Sequence, residues 1–477
     1  IINVGNSLIE SSKSDFFSGG DGNDILIIDI QEEKTIAPSI ENFEVIEISV
    51  NANSNIDFSN ISNLDQIIIS ESASGINLQN LPFDLSKFEV SGNQTGDWQL
   101  NYSDNSSSDP IISWNNSKLD TSLTSLSFDE INSITVVSNG SKNFDIGSLT
   151  LDDNDTTSLN LSNNNDGNFL LSSSSSINSS SSLKNINIVT NAGGNIKLGS
   201  IQDSFGFEKL EGLNNLILNS SISGDIELGP IGTTNIIQDF QNLDLASKGA
   251  DISLGSIKAK NVGDFKVSIF GNSKLSFSDL NFFNPGKSFV AQGEGSISNV
   301  NFVKEAFEVI DISNISKPSF FNFSNSETGV KFIGSSDIDE VTFGKGKDIV
   351  TGNNGADIFI IGNNKSGINL SDADVIEDFV SGEDQLKLGL AGNNNFTTGN
   401  YVESSTQVAD FQDASSAANL ALSQINTTSE ALKLYSFQFD SNNGYLFIDN
   451  DSDGIAENLI ILSNIESSDI SHLDIIS

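Results

Sequence analysis

The chain has 477 residues, 64 acidic and 22 basic, for a net charge of −42, and it lacks cysteine and methionine altogether. Every basic residue is a lysine, and so acidic a surface excludes nucleic-acid binding, because phosphate contacts need clustered positive charge. Disulfides and thiolate metal sites are excluded with cysteine, and no apolar run approaches the roughly 20 residues of a membrane-spanning helix.

Residues 1–30 hold one conspicuous turn, GGDGNDILI at 19–27, where three glycines within four residues precede Asp24 and an apolar run. Glycine is costly to order, so Gly20 and Gly22 imply backbone angles that other residues resist. The first residues lack the basic and apolar regions of a secretory leader, and without an initial Met the chain reads as a processed product or fragment.

From 31 to about 330, short Ile, Leu, Val and Phe runs alternate with Asn, Ser, Asp and Gly. EVIEISV (44–50), QIIIS (66–70), SITVVS (133–138), NINIVT (185–190), NLILNSS (215–221) and VSIF (267–270) have the period-two pattern of strands bounded by turn residues. A smaller phrase recurs as IDFSNI (56–61), FDIGSL (144–149), IKLGSI (196–201), IELGPI (226–231), ISLGSI (252–257) and LSFSDL (275–280). FEVIEIS (43–49) returns as FEVIDIS (307–313). Repetition at about 20–30 residues predicts a β-solenoid whose coils share one core. A string of β-sandwich modules is the alternative that the same alternation allows. The Ser-rich tract 172–183 reads as a loop protruding from a coil.

The segment 331–390 contains three consecutive nine-residue units from Gly334: GSSDIDEVT, FGKGKDIVT and GNNGADIFI. Asp339, Asp348 and Asp357 share one phase, each followed two residues later by Val341, Val350 or Phe359. Gly346 and Gly355 stand two residues before their aspartates, as Gly22 does before Asp24. Turn carbonyls plus carboxylates suit Ca2+, which takes about six to eight hard oxygens. The candidate ligands and turn residues are Gly20, Gly22 and Asp24 in the first block, and Gly334, Ser336, Asp339, Gly346, Asp348, Gly352, Asn354, Gly355, Asp357 and Asp374 in the second.

Residues 391–477 change texture. The Ala-rich QDASSAANLALSQ predicts a helix over 412–424, and LKLYSFQF (432–439) and GYLFI (444–448) predict two strands. In the acidic loop that follows, Asp449, Asp451, Asp453 and Gly454 match the first half of an EF-hand loop, but Ile460 stands where its bidentate Glu belongs. The loop is a weak calcium site or an acidic hairpin turn.

The nine-residue units resemble the G-G-x-G-x-D-x-U-x repeat of calcium-binding RTX proteins. DVIEDFVSGEDQLKL (374–388) resembles the sequence that closes RTX β-rolls in secreted proteins, and YLFIDNDSDGIAENLIIL (445–462) the strand-loop-strand after it. The resemblance covers about 17–30 and 334–477. The middle is similar only in style, of the sort ENFEVIEISVNANSNIDFSNISNLDQIIIS (41–70), to calcium-dependent bacterial surface-layer proteins exported by type I secretion. It implies two units per coil, with Asp339 and Asp357 sharing one ion and Asp348 facing the opposite row. It also implies extracellular, cell-surface localisation and folding after export.

Catalysis is not expected. The single histidine, His472, allows neither H-E-x-x-H nor, without a G-x-S-x-G elbow, a serine triad. The expectation is therefore an all-β, right-handed parallel β-solenoid with RTX β-roll repeats and a small C-terminal β-rich region with one helix. Its divisions are 1–30, 31–330, 331–390 and 391–477. The expected role is a Ca2+-dependent, self-assembling surface-layer subunit, with itself and a cell-surface polysaccharide as partners. An RTX adhesin binding a surface or glycan, and a β-helical polysaccharide-modifying enzyme, are the alternatives.

Overall fold

The computed structural model describes residues 1–5, 15–82, 85, 87–92, 94–103, 110–115, 120–129, 131–151, 156–171, 178–179, 182–199, 210–220, 223–233, 235–395, 399–425, 433–466 and 469–477. The protein is nearly all β, a parallel β-solenoid of about 15 turns with a single C-terminal helix. It divides into two compact units, Ile1–Ala259 and Lys260–Ser477.

In the first unit, alternation along each strand becomes layering between strands. Val45–Val50 pairs in parallel with Ile25–Ile30 on one side and Gln66–Ser72 on the other. Ile46 and Ile48 therefore stack between Leu26 and Ile28 below and Ile67 and Ile69 above, all buried. Each such side chain withdrawn from water contributes about 1.5–3 kcal/mol. The same ladder continues through Ser133–Ser138, Ser158–Asn163, Asn185–Thr190 and Asn215–Ser220. One coil takes 20 residues at Asp29–Ser49 and 30 at Thr190–Ser220, the repeat length read from the sequence. Trp98, Trp114, Phe144 and Phe169 form an aromatic stack inside these coils, with successive ring centroids 5.3, 4.2 and 5.0 Å apart.

The recurring short phrase supplies a second column. Phe144–Ile146, Phe169–Leu171, Ile196–Leu198, Ile226–Leu228 and Ile252–Leu254 pair in register, whereas Ser54–Asp57, which holds the first two residues of IDFSNI, belongs to a different sheet. The abundant Ser, Asn and Thr close the corners. Asn163, Thr190 and Ser220 end successive strands, are buried, and donate to the carbonyls of Gly167, Gly224 and Gly224. A buried corner carbonyl needs such a partner, so these polar residues are structural. Of the Ser-rich tract, 172–177 and 180–181 lie outside the described residues, while Asn178–Ser179 pairs in parallel with Leu149–Leu151.

The second unit starts with longer strands and tightens toward its end. Gly286–Gly293 pairs with Phe307–Ile315, which pairs with Lys331–Ile333, then Ile349–Thr351 and Asp374–Ile376. A facing column runs Ser296–Asn301, Ser319–Asn322, Asp339–Thr342, Ile358–Ile360, Gln385–Lys387 and Ile475–Ile476. Asp339 and Asp357 lie one coil apart at 18 residues, so each coil there contains two nine-residue units. Phe343, Phe359 and Phe379 fill the narrow core, with centroids 6.4 Å apart at each step.

The C-terminal region closes this unit. Leu434–Phe439, Asn443–Asp449 and Asn458–Ser463 form an antiparallel meander, and Asn458–Ser463 pairs in parallel with Asp374–Ile376. The helix Phe411–Gln424 starts at Asp410, whose carboxylate accepts from the Asp413 N–H, and it buries Ala414, Ala418 and Leu422 against the meander.

Candidate metal centre

Parallel coils leave a backbone N–H at each corner that the sheet ladder does not reach, and the chain satisfies it in two ways. In the first unit the residue before each short strand donates its N–H to the side-chain oxygen of its counterpart one coil earlier. Asn143 bonds Asp120 Oδ1 (2.9 Å), Asn168 bonds Asn143 Oδ1 (2.9 Å), Asn195 bonds Asn168 Oδ1 (3.1 Å), and Asp225 and Asp251 continue at 2.8 Å each. These rungs are half-buried asparagines or exposed aspartates.

In the second unit buried aspartates play this part, on two columns and with the N–H donated to the coil after and not the coil before. The Asp339 N–H bonds Asp357 Oδ1 at 2.8 Å, and the Asp357 N–H bonds Asp384 Oδ1 at 2.9 Å. On the opposite column the Val330 N–H bonds Asp348 Oδ1 at 2.8 Å, and the Asp348 N–H bonds Asp374 Oδ1 at 2.9 Å. Asp339, Asp357 and Asp384 thus form one row and Asp348 and Asp374 another, matching the two-row arrangement expected of the nine-residue units. All five are buried.

The second carboxylate oxygens separate these residues from an ordinary ladder. Those of Asp339, Asp348 and Asp384 accept the N–H groups of Ser335 (2.6 Å), Gly344 (2.9 Å) and Val380 (2.8 Å). Those of Asp357 and Asp374 are buried and have no hydrogen-bond partner among the described residues. Burial pushes Asp384 up to about 6, Asp339 and Asp348 to about 7, Asp357 to about 8, and Asp374 well above its ordinary value. Neighbouring carboxylates add to the rise: Asp339 and Asp384 beside Asp357, and Asp348 beside Asp374. None of the three ion pairs among the described residues involves these five aspartates.

A buried carboxylate without a paired counter-charge is expensive, and here only Lys365 opposes the rise at Asp348 and Lys347 that at Asp374, neither as an ion pair. Asn143 and Asn168 show that a neutral amide makes the ladder bond equally well, so the ladder alone does not call for aspartate. What aspartate adds is a second anionic oxygen, and at two rungs that oxygen faces no donor. A carboxylate is a hard oxygen donor, which suits a group-two cation and not a soft metal.

The turns fit this reading. Gly22 and Gly355, each two residues before an aspartate, share positive φ at 127° and 134°, a region costly to a side chain. A Cβ at Gly352 would overlap Asp357 Oδ2, and one at Gly334 would crowd Asp339 Oδ2. Gly346 lies against the Thr328–Gly329 backbone. Asn354 is exposed in its turn, and the Ser336 N–H bonds the Ile315 carbonyl, so Ser335 is the residue that touches Asp339. Asp378, on the next coil, receives the N–H groups of Gly352 and Asn353 at 2.8 and 2.7 Å.

The first block is different. The Asp24 N–H bonds Glu44 Oε2 at 2.6 Å, and the next two corners are Asn42 and Asn63, both at positive φ. The column of Asp24 continues with Glu44 and Asp65, which precede strand starts in register with its own, and these three carboxylates are half-buried or exposed where the five of the second unit are buried.

The C-terminal loop gathers Asp449, Asp451 and Asp453 with Glu457, their ligand atoms all within 4.8 Å of one another. Asp449 accepts the N–H groups of Asp451, Ser452 and Gly454 at 3.1, 2.6 and 2.7 Å. Burial, and then the charges of Asp449, Asp451 and Asp453, raise the Glu457 carboxyl above its ordinary value. Ile460 is a buried strand residue paired with Asp374 and Leu446.

The sequence reading missed Asp384, Asp378, Ser335 and Glu457. Asp384 carried a signal: Gly382 precedes it by two and Leu386 follows by two, the spacing of the other units. Glu457 stands at the ninth position of the loop, not at the twelfth where the EF-hand pattern has its Glu.

The architecture defines the class: a parallel β-solenoid protein with stacked Asn and Asp corner ladders. No protein-family model matches the chain, and no curated protein sequence does.

Proposed function

We propose that this protein is a structural, extracellular solenoid whose C-terminal coils are locked by Ca2+, and that it serves as a self-assembling surface-layer subunit. The observation that carries the calcium reading is that two rows of buried Asp occupy corner positions where the first unit uses half-buried Asn, with the Oδ2 atoms of Asp357 and Asp374 left without donors among the described residues. Asp339, Asp348, Asp357, Asp374 and Asp384 would hold the ions together with turn carbonyls. The Asp449–Glu457 loop would hold a further, more exposed one. The bound ion supplies positive charge that turns a row of mutually repelling carboxylates into a cross-link, and its binding free energy becomes folding free energy.

The assembly reading rests on the −42 charge, which keeps copies apart until divalent ions bridge them, and on the resemblance of the repeats. Thermal unfolding and negative-stain electron microscopy in EDTA and in millimolar CaCl2 test both parts. Calcium should raise the unfolding temperature and produce ordered sheets or tubes that chelator dissolves. Identical melting curves in the two buffers would sink the calcium reading. Calcium-stabilised particles that stay monomeric would sink the assembly reading alone.

A further inference from the structure

Strand register sorts the outer face of the second unit into rows. Val300, Phe321 and Val341 are aligned and buried, so Phe320 and Glu340 stand together on the outside, as do Asn301, Asn322 and Thr342. Between Ile297 and Val300 the register slips, and Asn299 adopts φ 41°. Such a bulge re-aims side chains and breaks the regularity of a sheet face. Beside it lies an open groove of about 300 Å³ lined by these outward residues.

The groove pairs one bare ring with uncommitted amides. Phe320 is 40% exposed and has no ring or ammonium partner among the described residues, whereas Phe283, exposed to 38%, lies beneath the Lys304 ammonium at 3.7 Å. Asn322 Oδ1 accepts the Ser324 N–H at 3.0 Å, which leaves its Nδ2 as a donor. Asn301 Nδ2 donates to Asp279 at 2.7 Å, which leaves its Oδ1 as an acceptor. Glu340 adds a carboxylate acceptor, and it is the only ionisable group in the lining.

We propose that this groove is a subsite for a neutral pyranose of an oligo- or polysaccharide, with the apolar C–H face of the sugar on the Phe320 ring and its hydroxyls on Asn301, Asn322 and Glu340. A sugar ring offers one apolar face and a rim of paired donors and acceptors, the combination that this lining complements. Glu340 repels phosphates and uronates, and no lysine lines the groove to offset it, so anionic glycans are disfavoured. One carboxylate does not make a hydrolase, which needs two flanking the bond, so the subsite binds and does not cleave.

The test uses the full chain in calcium buffer and a panel of cellohexaose, maltohexaose, xylohexaose, mannohexaose and polygalacturonate, read by saturation-transfer NMR and calorimetry. At least one neutral hexasaccharide should bind. Phe320→Ala should weaken it about tenfold, the worth of one ring contact, with the circular dichroism spectrum and melting temperature unchanged. Phe320→Trp should retain or improve binding. Failure of every neutral sugar, preference for polygalacturonate, or full binding by Phe320→Ala would overturn the proposal. So would a Phe320→Ala effect on sedimentation in place of sugar binding, which would assign the ring to a contact between copies. Binding is read on the folded protein at fixed calcium, so its loss leaves the metal reading standing.

Discussion

Replacing Asp357 by Asn separates the two jobs of this carboxylate. The variant keeps an Oδ1 acceptor for the Asp339 N–H (2.8 Å) and removes the charge whose second oxygen has no partner. Burial raises Asp357 from 3.8 to about 8, so at pH 7 the ion-free fold forgoes about 4 kcal/mol relative to an unfolded chain that ionises freely. The new amide leaves a buried N–H₂, which costs about 1–3 kcal/mol. The balance favours the variant by about 2 kcal/mol without metal, a rise of roughly 5 °C for a unit of this size. With calcium at about a thousand times its dissociation constant, the natural protein gains about 4 kcal/mol that the variant largely forgoes. The order of stabilities should invert between EDTA and calcium in differential scanning calorimetry. A variant less stable than the parent by the same margin in both buffers would show that the carboxylate is only a ladder rung.

The pH dependence follows from the same groups. Raised folded values mean that the native state holds more protons between pH 3.8 and about 8. In EDTA, stability should therefore fall as pH rises through that window, while calcium should reverse the trend because protons compete with the ion; urea titrations at pH 5 and 8 read both slopes. Asn168→Asp in the first unit keeps the bond to the Asn195 N–H on a half-exposed rung, so it should shift stability by less than about 1 kcal/mol and confer no calcium response in the same calorimetry. Gly352→Ala would drive a methyl into Asp357 Oδ2, costing about 1–3 kcal/mol and weakening calcium binding by calorimetric titration.

The layered β architecture was legible because strand periodicity is a local signal. EVIEISV, QIIIS, SITVVS, NINIVT and NLILNSS all became rungs of the long ladder, and the helix at 412–424 extends by one residue to Phe411. The resemblance of the nine-residue units implied Asp339 and Asp357 on one side and Asp348 on the other, and their strands lie in those two columns. The corner ladder of Asn143, Asn168 and Asn195 was invisible, because asparagine is everywhere in this chain and only the fold shows which ones align across coils. Asp384 escaped for a related reason: it keeps the nine-residue phase at 27 residues beyond Asp357, but Ser366 and Val375 occupy the two positions between and break the run of aspartates. At Gly20, Gly22 and Asp24 the glycine turn does not recur on the following coils, which turn on Asn42 and Asn63, while the acidic column continues through Glu44.

The two ladder chemistries imply that chelation acts locally. In the first unit the corner N–H groups end on Asn143, Asn168, Asn195 and exposed aspartates, none of which needs an ion to offset a buried charge. In the second, five buried carboxylates share two short columns whose coils are only 18 residues where they are tightest. Their three-residue strands bury little apolar surface per coil, so electrostatic cost weighs more heavily there than in the six-residue strands of the first unit. Hydrogen exchange with mass spectrometry should resolve this. In EDTA the amides of 330–388 should lose protection by several orders of magnitude, while those of Asn185–Thr190 and Asn215–Ser220 exchange as slowly as in calcium. Uniform loss across both units would mean that the ions act on the whole chain. Unchanged protection at 330–388 would mean that the buried aspartates are held without them.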